Sequence, residues 1–159
     1  MLLYHGSNVE VKRPKLLPKV RALDFGSGFY MTSDRQQAEK WAELMTRRRK
    51  NGSLIVSVYE LDEEQFKNLS VLSFREPNAD WLEYVTANRL GTDVRDNWDI
   101  VMGPVANDNT MPVLNMYFNG DYTKDEAVKR LMAQKLKDQY AIKTEAAIAA
   151  LNFKEVIML

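Results

Sequence analysis

Apolar residues come in short blocks near the start of the chain and at helical spacing further on, with the two patterns mixed rather than strictly alternating. Met1 to His5 is short and apolar and predicts a buried strand ending at His5-Gly6. Residues 8 to 23, with Pro14 and Pro18 among scattered Lys and Arg, predict an irregular excursion before a Gly26/Gly28 turn. Phe29 to Thr32 predicts a second short strand. Ser33 followed by Gln36 is a capping box, and Ala38, Trp41, Ala42 and Met45 fall on one helical face, so a helix is expected from about Asp34 to Lys50, stopped by Asn51-Gly52.

Leu54 to Leu61 reads as a strand and Asp62 to Asn68 as a short acidic helix start. Asn78 is placed to cap a helix running through Trp81, Leu82 and Val85 to Asn88-Arg89, with Gly91 as its end. Asp99 to Met102 reads as a strand broken by Gly103-Pro104, and Ala106 to Asn109 as a polar loop. Thr123 with Glu126 is a second capping box, whose helix turns Ala127, Val128, Leu131 and Leu136 inward. A strand over Gln139 to Lys143, a short helix over Thr144 to Leu151 and a last strand over Val156 to Leu159 complete the series. Mixed strands and helices without a βαβ rhythm predict an α+β fold, and the absence of repeats removes solenoids.

Composition narrows the chemistry. A chain of 159 residues, 45% hydrophobic, suits one domain with a real core. Lys plus Arg and Asp plus Glu both number 22, so no global field favours nucleic acid or anionic lipid. With no cysteine, thiolate catalysis, disulfides and thiolate zinc sites are excluded, and one histidine makes a histidine metal site a poor expectation. No leader pattern opens the chain and no apolar run approaches the roughly 18 residues of a membrane helix, so a cytoplasmic location without membrane contact is expected.

The candidate chemistry gathers near the N-terminus. Tyr4-His5-Gly6-Ser7 puts the sole histidine at a strand end, where it can bond a hydroxyl, beside a glycine whose backbone a planar group can approach. Asp24-Phe25-Gly26-Ser27-Gly28-Phe29-Tyr30-Met31-Thr32 adds a glycine turn and, in Tyr30, a ring for stacking. These two motifs, followed by a helix bearing an aromatic residue, resemble the NAD site of ADP-ribosyltransferases of the diphtheria-toxin and poly(ADP-ribose) polymerase type. Through Trp81-Leu82, Asn88-Arg89, Asp99 and Gly103-Pro104-Val105-Ala106, nearly the whole chain is also similar to a small uncharacterised bacterial domain family related to those transferases.

The resemblance implies a single domain over residues 1 to 159, with an ADP-ribosyltransferase-like split β-sheet core and flanking helices. It implies NAD as substrate, no metal, and transfer of ADP-ribose to an acceptor that is a protein, a nucleic acid or a small molecule. A toxin or defence role with a cognate antitoxin follows from the same association. His5 would contact ribose, the Gly6 backbone the nicotinamide amide and Tyr30 the nicotinamide ring, with Ser7, Gly26, Gly28 and Phe29 completing the binding site. The glutamate that this pattern carries late in the chain is replaced here by Gln139. A glutamine oxygen accepts a hydroxyl hydrogen bond but takes no proton near neutral pH. Single transfer, slow turnover or loss of activity is therefore expected, and a non-catalytic NAD or ADP-ribose module, or a partner-binding protein, stands as the alternative.

Other residues carry two readings each. Trp41 either packs in the core or stacks on a ligand, and Arg47-Arg48-Arg49-Lys50 is either a solvated helix end or a guide for phosphate. Arg89 either pairs with Asp93 or Asp99 or approaches the dinucleotide phosphates, the structural pairing being favoured. Asn107 and Asp108 either line a cleft or make an ordinary turn.

Overall fold

The computed structural model describes residues 1–17, 23–91 and 96–159. Pro18 and Asp93 lie outside these residues. In chain order the elements are β1 (Leu2–Ser7), β2 (Phe29–Met31), α1 (Arg35–Arg49), β3 (Ile55–Leu61), α2 (Glu63–Phe66), β4 (Val71–Ser73) and α3 (Ala79–Arg89). They continue with β5 (Ile100–Pro104), α4 (Met111–Phe118), α5 (Lys124–Met132), β6 (Asp138–Ile142), α6 (Glu145–Ala149) and β7 (Leu151–Met158). Strands and helices are mixed, as an α+β fold requires.

Two sheets form. One has the order β1-β3-β7 and is antiparallel throughout; the other has the order β2-β6-β5-β4, with β4 and β5 parallel. Leu3, Tyr59 and Leu61 of the first sheet meet Met31, Ile100, Tyr140 and Ile142 of the second, so the central core lies between the sheets. Helix α1 covers the outer face of the first, packing Ala38 on Val56 and Val58. The outer face of the second, at Val101 and Ala141, is covered by Trp81, Leu82 and Val85 of α3, Leu114 of α4, and Ala127 and Leu131 of α5. The apolar residues of β2 and β6 are thus divided by strand alternation between two cores.

The capping expected at Ser33 falls instead to Asp34, whose carboxylate accepts from the Gln37 N–H at 2.8 Å. Ser33 is engaged elsewhere: its hydroxyl and its N–H both donate to Asp138, as does the Thr32 hydroxyl. Asn78 and Thr123 cap α3 and α5 as their sequence signals indicate. Gly103-Pro104 does not break β5, since Gly103 pairs with Gln139 and Pro104 with Asp138 in the ladder. Pro104 ends the strand, where a missing N–H costs least, and its carbonyl accepts from the buried Trp81 indole at 3.0 Å. Leu136 lies beyond α5 rather than on its inner face, and β7 begins at Leu151, five residues before the expected start.

Candidate functional site

Among the described residues the two sheets are joined by one backbone pair. Tyr4 and Thr32 exchange both hydrogen bonds, at 2.8 and 3.0 Å, and then β1 and β2 part. In a continued antiparallel ladder the Tyr30 carbonyl would next accept from the Gly6 N–H. The His5 ring takes it instead, with Nδ1 at 2.7 Å from the Tyr30 oxygen. Because alternate residues of β1 face opposite edges, the Gly6 N–H and C=O point to the same side as those of Tyr4, into the opening between β1 and β2, without a strand partner there among the described residues.

Gly6 is required by packing as well. A Cβ at this position would lie 1.8 Å from the Ala38 carbonyl oxygen and 2.8 Å from the Ala42 nitrogen, so α1 rests directly on the β1 backbone. Trp41, between those two alanines in sequence, is half-buried and lies outside the three core clusters.

A carbonyl only accepts, so the bond to Tyr30 places the His5 proton on Nδ1 and leaves Nε2 as an acceptor. The ring stacks on Phe29, with centroids 4.2 Å apart. Burial is the largest influence on its titration and pushes its pKa below the ordinary value; the Tyr30 carbonyl opposes this, and the charge of Arg49 adds to it. A histidine lowered in the fold takes up a proton on unfolding, so its contribution to stability falls as pH drops below about 6.5, the unfolded value. The melting temperature is accordingly expected to fall between pH 7 and pH 5 by more in the wild type than in His5→Asn. The asparagine amide can replace Nδ1 toward the Tyr30 carbonyl but does not titrate; equal losses in the two proteins would contradict the assignment.

Tyr30 itself is divided. Its backbone meets His5, but its ring points to the opposite face of β2 from Phe29, toward Phe25 and the α3–α5 side. The Tyr30 hydroxyl donates to the Gly26 carbonyl at 2.6 Å and accepts from the Phe25 N–H at 3.0 Å. It therefore holds the glycine turn that precedes its own strand. Gly26 adopts a positive φ of 77°, and a side chain there would run into Asn88 Oδ1 at 2.7 Å. Gly28 packs against the Ile142 carbonyl, 3.1 Å from where a Cβ would sit. Ser7 is buried and bonds Asn8, which also receives Arg49, so the end of β1 is tied to the end of α1.

Gln139, on β6, shares the Tyr30 face of its sheet. Its Nε2 donates to Asp24 Oδ2 at 2.8 Å. The other oxygen of Asp24 accepts from Arg89 Nε at 2.7 Å, with the Arg89 Nη2 also in contact, and Oδ2 accepts from the Ala106 N–H at 3.0 Å. The pairing of Arg89 with Asp99 expected from sequence is thus replaced by one with Asp24. Asp99 instead accepts from the Ser70 N–H and the Thr144 hydroxyl. On the far side of the turn, Lys143 donates to the Phe25 carbonyl at 2.7 Å and pairs with Asp96 at 3.2 Å. The Tyr84 hydroxyl also donates to Asp96, and burial with that carboxylate beside it raises the Tyr84 pKa far above the ordinary value.

Sequence reasoning missed Asp24, Asp138 and Lys143 as organisers of the site. Asp24 opens the glycine motif, yet an acid before a glycine turn is an ordinary turn residue, and its partner is 115 positions away. Asn107 makes such a turn, its side-chain oxygen accepting from Asn109 and Thr110, and Asp108 is exposed beside it. Among the described residues no cluster of three or more His, Asp or Glu is placed to hold a metal ion, and no helix is long and apolar enough to cross a membrane. A separate groove of about 760 Å³ is lined by Leu72, Phe74, Arg75, Asn78, Asp80 and Tyr84 among others and contains none of His5, Tyr30 or Gln139.

The described residues thus form a two-sheet α+β arrangement with a strand opening flanked by an acceptor nitrogen and the Gly6 peptide edge. The chain belongs to the family described as "Protein of unknown function (DUF3990)", whose model matches residues 1–153. No curated protein and no solved structure matches it.

Proposed function

We propose that this protein is an NAD-dependent mono-ADP-ribosyltransferase-like protein whose donor site is the opening between β1 and β2. The carrying observation is the peptide edge at Gly6, without a strand partner on that side among the described residues because His5 occupies the Tyr30 carbonyl. A planar carboxamide can take up such an N–H and C=O pair as a neighbouring strand would. His5 Nε2 offers an acceptor to a ribose hydroxyl, and the Tyr30 ring offers a face to the pyridinium ring. The ligand would pass from the opening over the β2 edge, with His5 on one face of that sheet and the Tyr30 ring with Gln139 on the other. On this reading the two sheets are the split core of an ADP-ribosyltransferase-like fold, in which Ser7, Gly26, Gly28 and Phe29 shape the site.

Little acid catalysis is needed at the leaving group. As the bond from ribose C1′ to the nicotinamide nitrogen breaks, its electron pair neutralises the pyridinium, and positive charge develops on the ribose. An acceptor nucleophile then bonds C1′ and releases its proton to solvent. The protein supplies position and hydrogen bonds. Gln139 bonds a hydroxyl without removing a proton, which fits transfer of a single ADP-ribose at modest rate. The balanced composition carries no preference among protein, nucleic-acid and small-molecule acceptors. A cytoplasmic toxin or defence role, restrained by a cognate antitoxin, belongs to the same proposal.

The test is NAD binding by calorimetry together with nicotinamide release in the presence and absence of cell lysate, using wild type and His5→Asn. Binding in the wild type, release that depends on lysate, and affinity about tenfold weaker in the variant are the expected results, one lost hydrogen bond being worth about 1.4 kcal/mol. Binding without release would select the non-catalytic module that Gln139 also suits. No binding at millimolar NAD would end the reading.

A further inference from the structure

We infer that Asp24 fixes the orientation of the Gln139 side chain, so that the site presents an amide oxygen, and not an amino group, to its ligand. The two ends of a glutamine amide have nearly the same shape, and only their partners decide which end faces which way. An ionised carboxylate has no proton to give. With Asp24 Oδ2 at 2.8 Å, only the amino end of Gln139 can face it, because the reverse orientation would oppose two oxygens. The carboxylate itself cannot turn away. Arg89 from α3 holds one oxygen, and the Ala106 N–H, just beyond β5, shares the other with Gln139. Asp24 and Gln139 are only 3% and 4% exposed, so water does not loosen the pair.

The consequence is selectivity. The amide oxygen, directed away from Asp24 on the face shared with Tyr30, accepts from hydroxyls and repels carboxylate or phosphate oxygens. Arg89 neutralises Asp24, so the acceptor is supplied without net charge. Identification of the ligand hydroxyl as one of the NAD ribose rests on the proposed function; the orientation of the amide does not.

The experiment compares wild type with Asp24→Asn, Gln139→Glu and the double variant, in thermal melting and in NAD affinity. In Asp24→Asn the asparagine oxygen turns to Arg89 and its amino group takes the place of Oδ2, opposing the Ala106 N–H and forcing Gln139 to reverse; NAD affinity is expected to fall about tenfold. Gln139→Glu sets two carboxylates against each other and should melt lower than wild type. In the double variant the introduced asparagine donates to the introduced glutamate, and an oxygen again faces the ligand. Because the Ala106 N–H stays opposed, melting is expected to lie below wild type but above the value that the two single losses would give together, and affinity to return to within about threefold of wild type.

Additive effects in both readouts would overturn the inference. If Asp24→Asn does not fold, the side-chain amide resonance of Gln139 in the wild type decides: slow exchange of one proton supports the bond, and exchange of both at the rate of free glutamine refutes it. Coupled melting with no NAD binding in any protein would remove the NAD reading and keep the orientation. NAD binding unchanged in Asp24→Asn would do the opposite.

Discussion

Gly6→Ala is expected to lower stability by about 3–5 kcal/mol, at the upper end of what overpacking a backbone contact costs. For a chain of this length that corresponds to a fall in melting temperature of about 10–15 °C. One methyl group has this effect because it has nowhere to go. The atom it would meet, at 1.8 Å, is the carbonyl oxygen of Ala38, and the next two are the Ala38 carbon and the Ala42 nitrogen, both at 2.8 Å. All three belong to the backbone of α1, and no rotamer change relieves them. The helix must move off β1, uncovering Val56 and Val58, with which Ala38 packs. Urea unfolding monitored by circular dichroism measures the stability change; a loss below about 1 kcal/mol would mean that α1 does not press on β1 as described.

Lys143→Met is expected to cost a similar amount, about 3–5 kcal/mol, by a different cause. The side chains of Lys143 and Asp96 are only 13% and 9% exposed, and the ammonium group is the donor to both Asp96 and the Phe25 carbonyl. Methionine fills comparable volume but leaves a buried carboxylate with only the Tyr84 hydroxyl to stabilise it among the described residues. A buried ion pair contributes little net stability when intact, whereas stranding one member costs the full desolvation of its charge. Lys143→Met combined with Asp96→Asn should therefore regain much of the loss. Chemical denaturation of the three variants gives the result, and equal stability of the single and double variants would show that Asp96 reaches water.

Much of this fold was readable from local pattern. The apolar block before His5, the capped helix over Ala38 and Ala42, and the Asn78 and Thr123 caps each encode their element within a few residues. The failures have long-range causes. Ser33 and Asp34 both satisfy a capping pattern, and the choice between them is made by Asp138, 105 positions away, which claims the Ser33 hydroxyl. Helix α4 was missed because Thr110 gives it no side-chain cap; that hydroxyl is bound to Asn107 and Gln134. Strand β4 has three residues and exists through its parallel pairing with β5. For the candidate site, sequence named His5, Gly6, Tyr30 and Gln139 but gave Asp24 no role, since nothing local distinguishes a turn aspartate from one that receives Gln139, Arg89 and Ala106.

The His5 side chain in the place of a ladder bond bears on how tolerance to mutation at this position should be read. A strand ladder is indifferent to side-chain identity because nearly every residue brings its own N–H. Here a main-chain acceptor depends on what residue 5 carries, so most substitutions would leave the Tyr30 carbonyl without its Nδ1 donor. A saturation screen scored on folding alone would report a narrow preference at position 5 whether or not any ligand binds. Intolerance there is consequently no measure of activity, and only replacements that preserve the donor separate the two selective pressures.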